Sequence, residues 1–180
     1  MFDMDAAATR WINSWAGIHG FTDAAAIWLS ALGVPLMVLA VASQWWRRAD
    51  RQRVRHVAVA AGLTFLLALA VNQAIIQFIH RLRPYDAGVT HLWIPRAIDW
   101  SFPSDHATAS FAIAFAVLAQ GFRRAGGWLT LAAAVTALSR VYLGTHYVTD
   151  ALGGALTAAM IVHLSYREGT WFDRTVTGIL

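Results

Sequence analysis

Residues 101–150 read SFPSDHATASFAIAFAVLAQGFRRAGGWLTLAAAVTALSRVYLGTHYVTD. Two long apolar runs flank the polar turn Arg123-Arg124-Ala125-Gly126-Gly127, and polar groups gather at the outer end of each run. One outer end carries Phe102-Pro103-Ser104-Asp105-His106; the other carries Ser139-Arg140, then His146 and Asp150. Two helices joined at the turn bring these ends to the same level. Ionisable side chains are costly in apolar surroundings, and that cost makes them candidates for chemistry.

The whole chain has the same apolar character. Of its 180 residues 58% are hydrophobic and only 13% charged, a balance that does not suit a soluble globule of this size and points to an integral membrane protein. The net charge of +4 comes from 14 basic residues, all arginine, whose forked donors suit phosphate groups and lipid headgroups. The arginines sit between apolar runs and form no basic face with interleaved aromatics, so no nucleic-acid partner is expected. Cysteine is absent, which excludes a disulfide framework and thiolate metal sites. Met1 to Arg10 contains Asp3 and Asp5 and does not read as a secretory signal.

Five spans are expected, forming an all-α, polytopic membrane helical bundle. Thr22–Trp46 is the first, with Pro35 expected to kink it; Val57–Ile79 is the second. The third runs from Ser104 to Gln120, the fourth ends near Val141, and the fifth covers Tyr147–Leu164. Ahead of them, residues 1–20 hold a short interfacial helix, with Trp11 and Trp15 at headgroup depth. The tail from Ser165 reads as amphipathic at best. Residues 80–103 form the longest polar connection, and a loop of that length is usually functional. No repeat or linker divides the chain, so residues 1–180 read as one domain.

Arginine placement orients the bundle. Arg47, Arg48, Arg51, Arg53, Arg55, Arg123, Arg124, Arg167 and Arg174 fall on one side, and Arg10, Arg81, Arg83, Arg96 and Arg140 on the other. The positive-inside rule puts the first group in the cytoplasm. Every motif residue then lies at the extracytoplasmic face.

The residue types at that face define a chemistry. His146 and Asp150, four apart, share one helix face if a helix starts there, so the carboxylate can orient the imidazole and leave its other nitrogen as base or nucleophile. The same pair could instead cap a helix. Arg140 and Arg83, the latter braced by Pro84, converge as expected for an oxyanion with several oxygens, and phosphate fits best. Arg83 could otherwise be a snorkelling arginine at the membrane edge. Pro103-Ser104-Asp105-His106 reads as a helix start, where backbone N–H groups and the Ser104 hydroxyl make an anion seat, with His106 beside it as a proton donor. A metal site is disfavoured, because there is no tight histidine pair and the arginines would repel a cation.

These motifs resemble those of the type-2 phosphatidic acid phosphatase superfamily. Ser139-Arg140-x5-His146-x3-Asp150 matches its third motif in full, and Pro103-Ser104-Asp105-His106 resembles the variant of the undecaprenyl-diphosphate phosphatase branch, as does the run Ile94–Phe102. Asn72 and Arg83-Pro84-Tyr85 resemble that branch too. The first motif departs from the wider pattern: its lysine would fall on Ile76, so either Arg81 or His80 supplies the charge or the site works with fewer cations. The resemblance implies a metal-independent, cofactor-free membrane phosphatase. In it His146 attacks phosphorus, Asp150 orients His146, His106 protonates the leaving oxygen, and a phosphohistidine is hydrolysed. Arg83, Arg140, Ser104 and Asp105 would form the phosphate seat, with His80, Arg81 and Ser139 as further headgroup contacts. The implied substrate is a polyprenyl diphosphate, converted to the monophosphate carrier of envelope synthesis. Phosphatidic acid, phosphatidylglycerol phosphate or another lipid phosphate is the alternative substrate, and a catalytically silent lipid-phosphate binder or transporter the alternative class.

Overall fold

The computed structural model describes residues 2–166 and 178. The expectation for the tail beyond Tyr166 lies outside these residues. Among them six α-helices follow one another with no strand: α1 (Phe2–Asn13), α2 (Gly20–Ser43), α3 (Arg51–Ile76), α4 (Asp105–Ala119), α5 (Arg123–Tyr142) and α6 (Val148–Ser165). A single 3-10 turn, Gln44–Trp46, extends α2.

Helices α2 to α6 stand where five spans were expected, but they are not equivalent. Gly20–Trp46, Arg51–Ile76 and Val148–Ser165 are long and apolar enough to cross a membrane. Helix α4 has 15 residues, about 22 Å at 1.5 Å per residue, against a hydrocarbon core of about 30 Å. It packs on α2, α3, α5 and α6, and its Ala107, Ala112, Ala114 and Ala116 are fully buried. Its apolarity therefore faces other helices. Small side chains let backbones approach closely, which is how helices associate where lipid is as apolar as leucine. Helix α5 carries Arg123, Arg124 and Arg140 and is correspondingly less apolar.

Both boundaries of α3 differ from expectation. Helix α3 begins at Arg51, not Val57, because Arg51 and Arg53 are exposed and a solvated arginine does not end a helix. It ends at Ile76, which lengthens the connection to α4. Pro35 lies inside α2, which continues through it as one helix.

Helix α1 stands where the short N-terminal helix was expected, and it has a docking face that the sequence did not single out. Its buried positions are Asp5, Ala6, Thr9 and Asn13, one polar stripe at helical spacing, while Met4, Trp11 and Trp15 are exposed. The polar stripe docks on the protein. Asn13 donates Nδ2 to the Tyr142 and His91 carbonyls at 2.8 and 3.0 Å, and accepts from the His91 N–H at 2.8 Å.

Two close approaches set the site end. A Cβ at Gly154 of α6 would lie 2.8 Å from the Ser104 carbonyl oxygen and 2.9 Å from the Ala107 Cβ, so glycine lets α6 reach the start of α4. The Ser104 N–H then donates to the Asp150 carbonyl at 3.1 Å. Gly144 has φ +80° in the turn between α5 and α6, where a side chain would collide with the His91 carbonyl. That turn delivers His146.

Candidate active site

Helix α4 starts, α5 ends and α6 starts at one end of the bundle, beneath the connection 77–104. There Arg83, Asp99, Asp105, His106, Arg140 and His146 line a cavity of about 170 Å³. The two motif histidines and two motif arginines, scattered over 64 sequence positions from Arg83 to His146, thus share one cavity.

The neighbours of His146 assign its tautomer. Its Nδ1 lies 2.8 Å from the Ser101 carbonyl oxygen, which can only accept, so Nδ1 carries the proton. Its Nε2 lies 3.2 Å from Arg83 Nη1, which can only donate, so Nε2 presents a lone pair. Burial pushes the imidazole below the ordinary histidine range, Asp150 pulls it up, and the Arg83 charge pushes it down again.

Asp150 was expected to accept a hydrogen bond from one ring nitrogen directly. The structure corrects this: Asp150 Oδ2 lies 3.6 Å from Nδ1, too far for a hydrogen bond. Oδ2 instead accepts from Ser101 Oγ at 2.5 Å and from the Tyr147 N–H at 2.8 Å, while Oδ1 accepts from Arg81 Nη1 at 2.6 Å. Both sequence readings of this carboxylate hold in part, because it caps the first turn of α6 and orders the residue whose carbonyl orients the histidine. Ser101 was missed as a functional residue. Its only sequence signal was its place three residues before Ser104.

The arginines are held differently. Arg83, 4% exposed, donates Nη1 to the Thr145 carbonyl at 3.0 Å and pairs Nη2 with Asp99 at 2.7 Å, while Nε meets the Asp99 carbonyl at 3.0 Å. A snorkelling arginine would reach for solvent, and this one is locked inside. Arg140 Nη1 donates to Ser30 Oγ at 2.5 Å. Ser30 is a buried polar residue within the apolar α2. Among the described residues, two buried side-chain atoms have no hydrogen-bond partner: Arg140 Nε and Ser104 Oγ. Ser104 occupies the N-cap position of α4, yet its hydroxyl makes no cap bond. A serine cap is worth about 1 kcal/mol, so a buried serine that forgoes it is held for another purpose.

Four expected contacts are engaged with other partners. Asp105 lines the cavity, but its carboxylate accepts from Asn72 at 2.6 Å and Gln73 at 2.9 Å and can offer phosphoryl oxygens no side-chain donor. Arg81 is engaged at both ends of its guanidinium, with Asp5 and Asp150 each at 2.6 Å, and so does not replace the first-motif lysine. His80 is exposed and stacks on Trp100 at 4.9 Å between centroids. Ser139 is buried and donates to the Thr136 carbonyl at 2.7 Å.

With this geometry in view, the comparisons are decisive on family. The PAP2 superfamily model matches residues 57–173. The chain belongs to the PAP2 superfamily. It is 36% identical over 132 residues to the undecaprenyl-diphosphatase BcrC of Bacillus subtilis, a match covering 73% of this chain and 65% of that protein. The chain thus matches slightly less than two thirds of that relative. The fold resembles the crystal structure of the first transmembrane PAP2 type phosphatidylglycerolphosphate phosphatase from Bacillus subtilis, with a TM-score of 0.66 and 21% identity, covering 98% of this chain and 84% of the other. It also resembles the crystal structure of Aquifex aeolicus LpxE, with a TM-score of 0.61 and 23% identity over 88% of this chain and 92% of that one.

Proposed function

We propose that this PAP2 protein is a lipid phosphatase that converts a polyprenyl diphosphate to its monophosphate, recycling the lipid carrier of cell-envelope synthesis. One observation carries the reading: an imidazole whose Nε2 lone pair is set by its neighbours shares a cavity with two buried arginines and a second histidine, and the unpartnered Ser104 hydroxyl sits in sequence between Pro103 and Asp105, which both line that cavity. A binder or transporter of phosphate needs the arginines but not an oriented nucleophile. Similarity to a relative named undecaprenyl-diphosphatase supports the diphosphate as substrate.

The chemistry follows from the placement. His146 Nε2 attacks the terminal phosphorus; the bond from phosphorus to the bridging oxygen breaks, and His106 gives that oxygen a proton. The second proton stays on Nδ1, hydrogen-bonded to the Ser101 carbonyl, and Asp150 stabilises the cationic ring. Water, losing a proton to His106, then attacks the phosphohistidine. The N–P bond breaks, its electron pair returns to Nε2, and inorganic phosphate leaves. Arg83, Arg140 and Ser104 hold the equatorial oxygens, where charge spreads in such transition states. The arginine bias supports a site on the extracytoplasmic side of a bacterial plasma membrane, and residues 1–180 read as one domain.

The deciding experiment is phosphate release in detergent with chelator present, comparing a polyprenyl diphosphate, its monophosphate and phosphatidic acid at equal concentration. Preference for the diphosphate, abolished by His146→Ala, is the expected result. Preference for phosphatidic acid overturns the substrate, loss to chelator overturns the metal-free chemistry, and turnover surviving in the variant overturns the nucleophile.

A further inference from the structure

The mechanism above leaves one ionic chain without a role. Asp5 of α1 accepts from Arg81 Nη2 at 2.6 Å, and Arg81 Nη1 donates to Asp150 Oδ1 at 2.6 Å. The carboxylate ends are 5% and 0% exposed and the guanidinium 19%. Its position is fixed from every side. The Arg81 guanidinium lies 3.8 Å over the Tyr147 ring, and Nη1 also donates to Thr149 Oγ1 at 2.7 Å. Asp5 is held to α6 as well, accepting from the Thr149 N–H at 3.1 Å and from its hydroxyl at 2.5 Å. One turn along α1, Thr9 Oγ1 accepts from the Val148 N–H at 3.1 Å. Residues Asp5 and Thr9, four apart, thus cap the first two N–H groups of the helix that carries Asp150.

We infer that Asp5 and Arg81 are positioning residues that set the carboxylate of Asp150, and through Ser101 the imidazole of His146. The inference rests on the reading of His146 as nucleophile. A carboxylate at 0% exposure has no water to hold it, so its direction is decided by the donors around it. Arg81 draws Oδ1 toward α1, which turns Oδ2 onto Ser101 Oγ, and the Ser101 carbonyl then meets Nδ1. Asp5 keeps Arg81 from swinging fully onto Asp150, where a bidentate pair would compete with Ser101 for Oδ2. The exposed face of α1, with Met4 and Trp11, and Trp15 in the turn that follows it suit the membrane interface. The clamp therefore ties the catalytic geometry to an element outside the central bundle.

The test is steady-state hydrolysis of farnesyl diphosphate by the full chain in detergent. Asp5→Asn keeps the shape and removes the charge, and kcat should fall about 10- to 100-fold with KM within about twofold, as expected for a misplaced reacting group. Asp5→Glu should recover most of the loss. In an Asp150→Asn background Asp5→Asn should cost nothing further, since the chain then has no carboxylate to set. Thr9→Ala, which loosens α1 without touching Arg81, should leave kcat within about twofold. A wild-type kcat in Asp5→Asn, a full additional loss in the Asp150→Asn background, or an equal fall in Thr9→Ala overturns the inference. If Asp5→Asn does not fold, Arg81→Lys replaces it, because one ammonium cannot fork between two carboxylates; wild-type kcat there is equally fatal. Turnover surviving in His146→Ala would instead sink the nucleophile reading, so the two failures are distinguishable.

Discussion

The two ends of the bundle hold arginines and cavities of opposite kinds. At the motif end, Arg83 and Arg140 are 4% and 9% exposed and enclose a cavity of about 170 Å³ with titratable walls. At the other end, Arg47, Arg48, Arg51, Arg53, Arg123 and Arg124 are exposed, and a larger cavity of about 290 Å³ is lined mainly by apolar groups such as Val41, Val57, Val117 and Leu129. Arg53 pairs with Asp50 at 3.9 Å with both side chains about 60% exposed, a surface pair of little energetic weight. Volume does not mark the candidate active site here. What marks it is charge held where water cannot solvate it, because such charge persists only when partners or a ligand compensate it.

The contrast can be broken most directly at His146. Replacing it by Ala should lower kcat roughly 10⁴-fold or more, the usual scale for removing a nucleophile, measured as phosphate release; a small loss would place the reactive group elsewhere. Arg140→Ala or Ser104→Ala should cost about 10²–10³-fold in kcat, the scale of one lost transition-state donor. Asn72→Ala should destabilise by about 1–3 kcal/mol in thermal unfolding, since Thr108, which donates to Asn72 at 2.8 Å, and Asp105 would both lose a buried partner. Arg53→Ala at the opposite end should change stability by less than about 0.5 kcal/mol and leave activity within about twofold. An effect there matching Arg140→Ala would dissolve the distinction between the ends.

The pH profile sharpens the same point. His146 faces Arg83, Arg140, His106 and Asp150, and burial pushes it below the ordinary value of 6.5. Attack needs the neutral ring, so kcat/KM should hold as pH falls through 6.5 and decline only at the lowered value. Stability carries the same sign: the unfolded chain takes up this proton below about 6.5 while the buried ring resists it, so the folded state weakens as pH falls. Asp150→Asn removes a stabiliser of the cationic ring and should move the acid limb of the residual activity further down.

Much of the site was legible because its chemistry needs residue types that apolar helices otherwise avoid. His106, Arg140 and His146 stand out against their surroundings, and the alternation of apolar runs puts them at one level. The roles of Asp150 and Arg81 were read less well. A spacing of four predicted direct contact between His146 and Asp150, but His146 precedes α6, which starts at Val148, and so lies off the helix face that spacing assumes. Arg81 looked like a headgroup contact because nothing local to it shows that Asp5, 76 positions away, will claim one side of it.

By itself the sequence determined the membrane class, the helical bundle, the family and the end at which the site lies, since these depend on hydropathy, local spacing and motif identity. Only the tertiary structure decided that α4 is an inner helix and that α1 docks by its polar stripe. It also decided that Ser101, not Asp150, holds the imidazole, and that Ser104 forgoes its cap. These are choices among partners for buried polar groups, and they depend on which donors distant segments bring within about 3 Å.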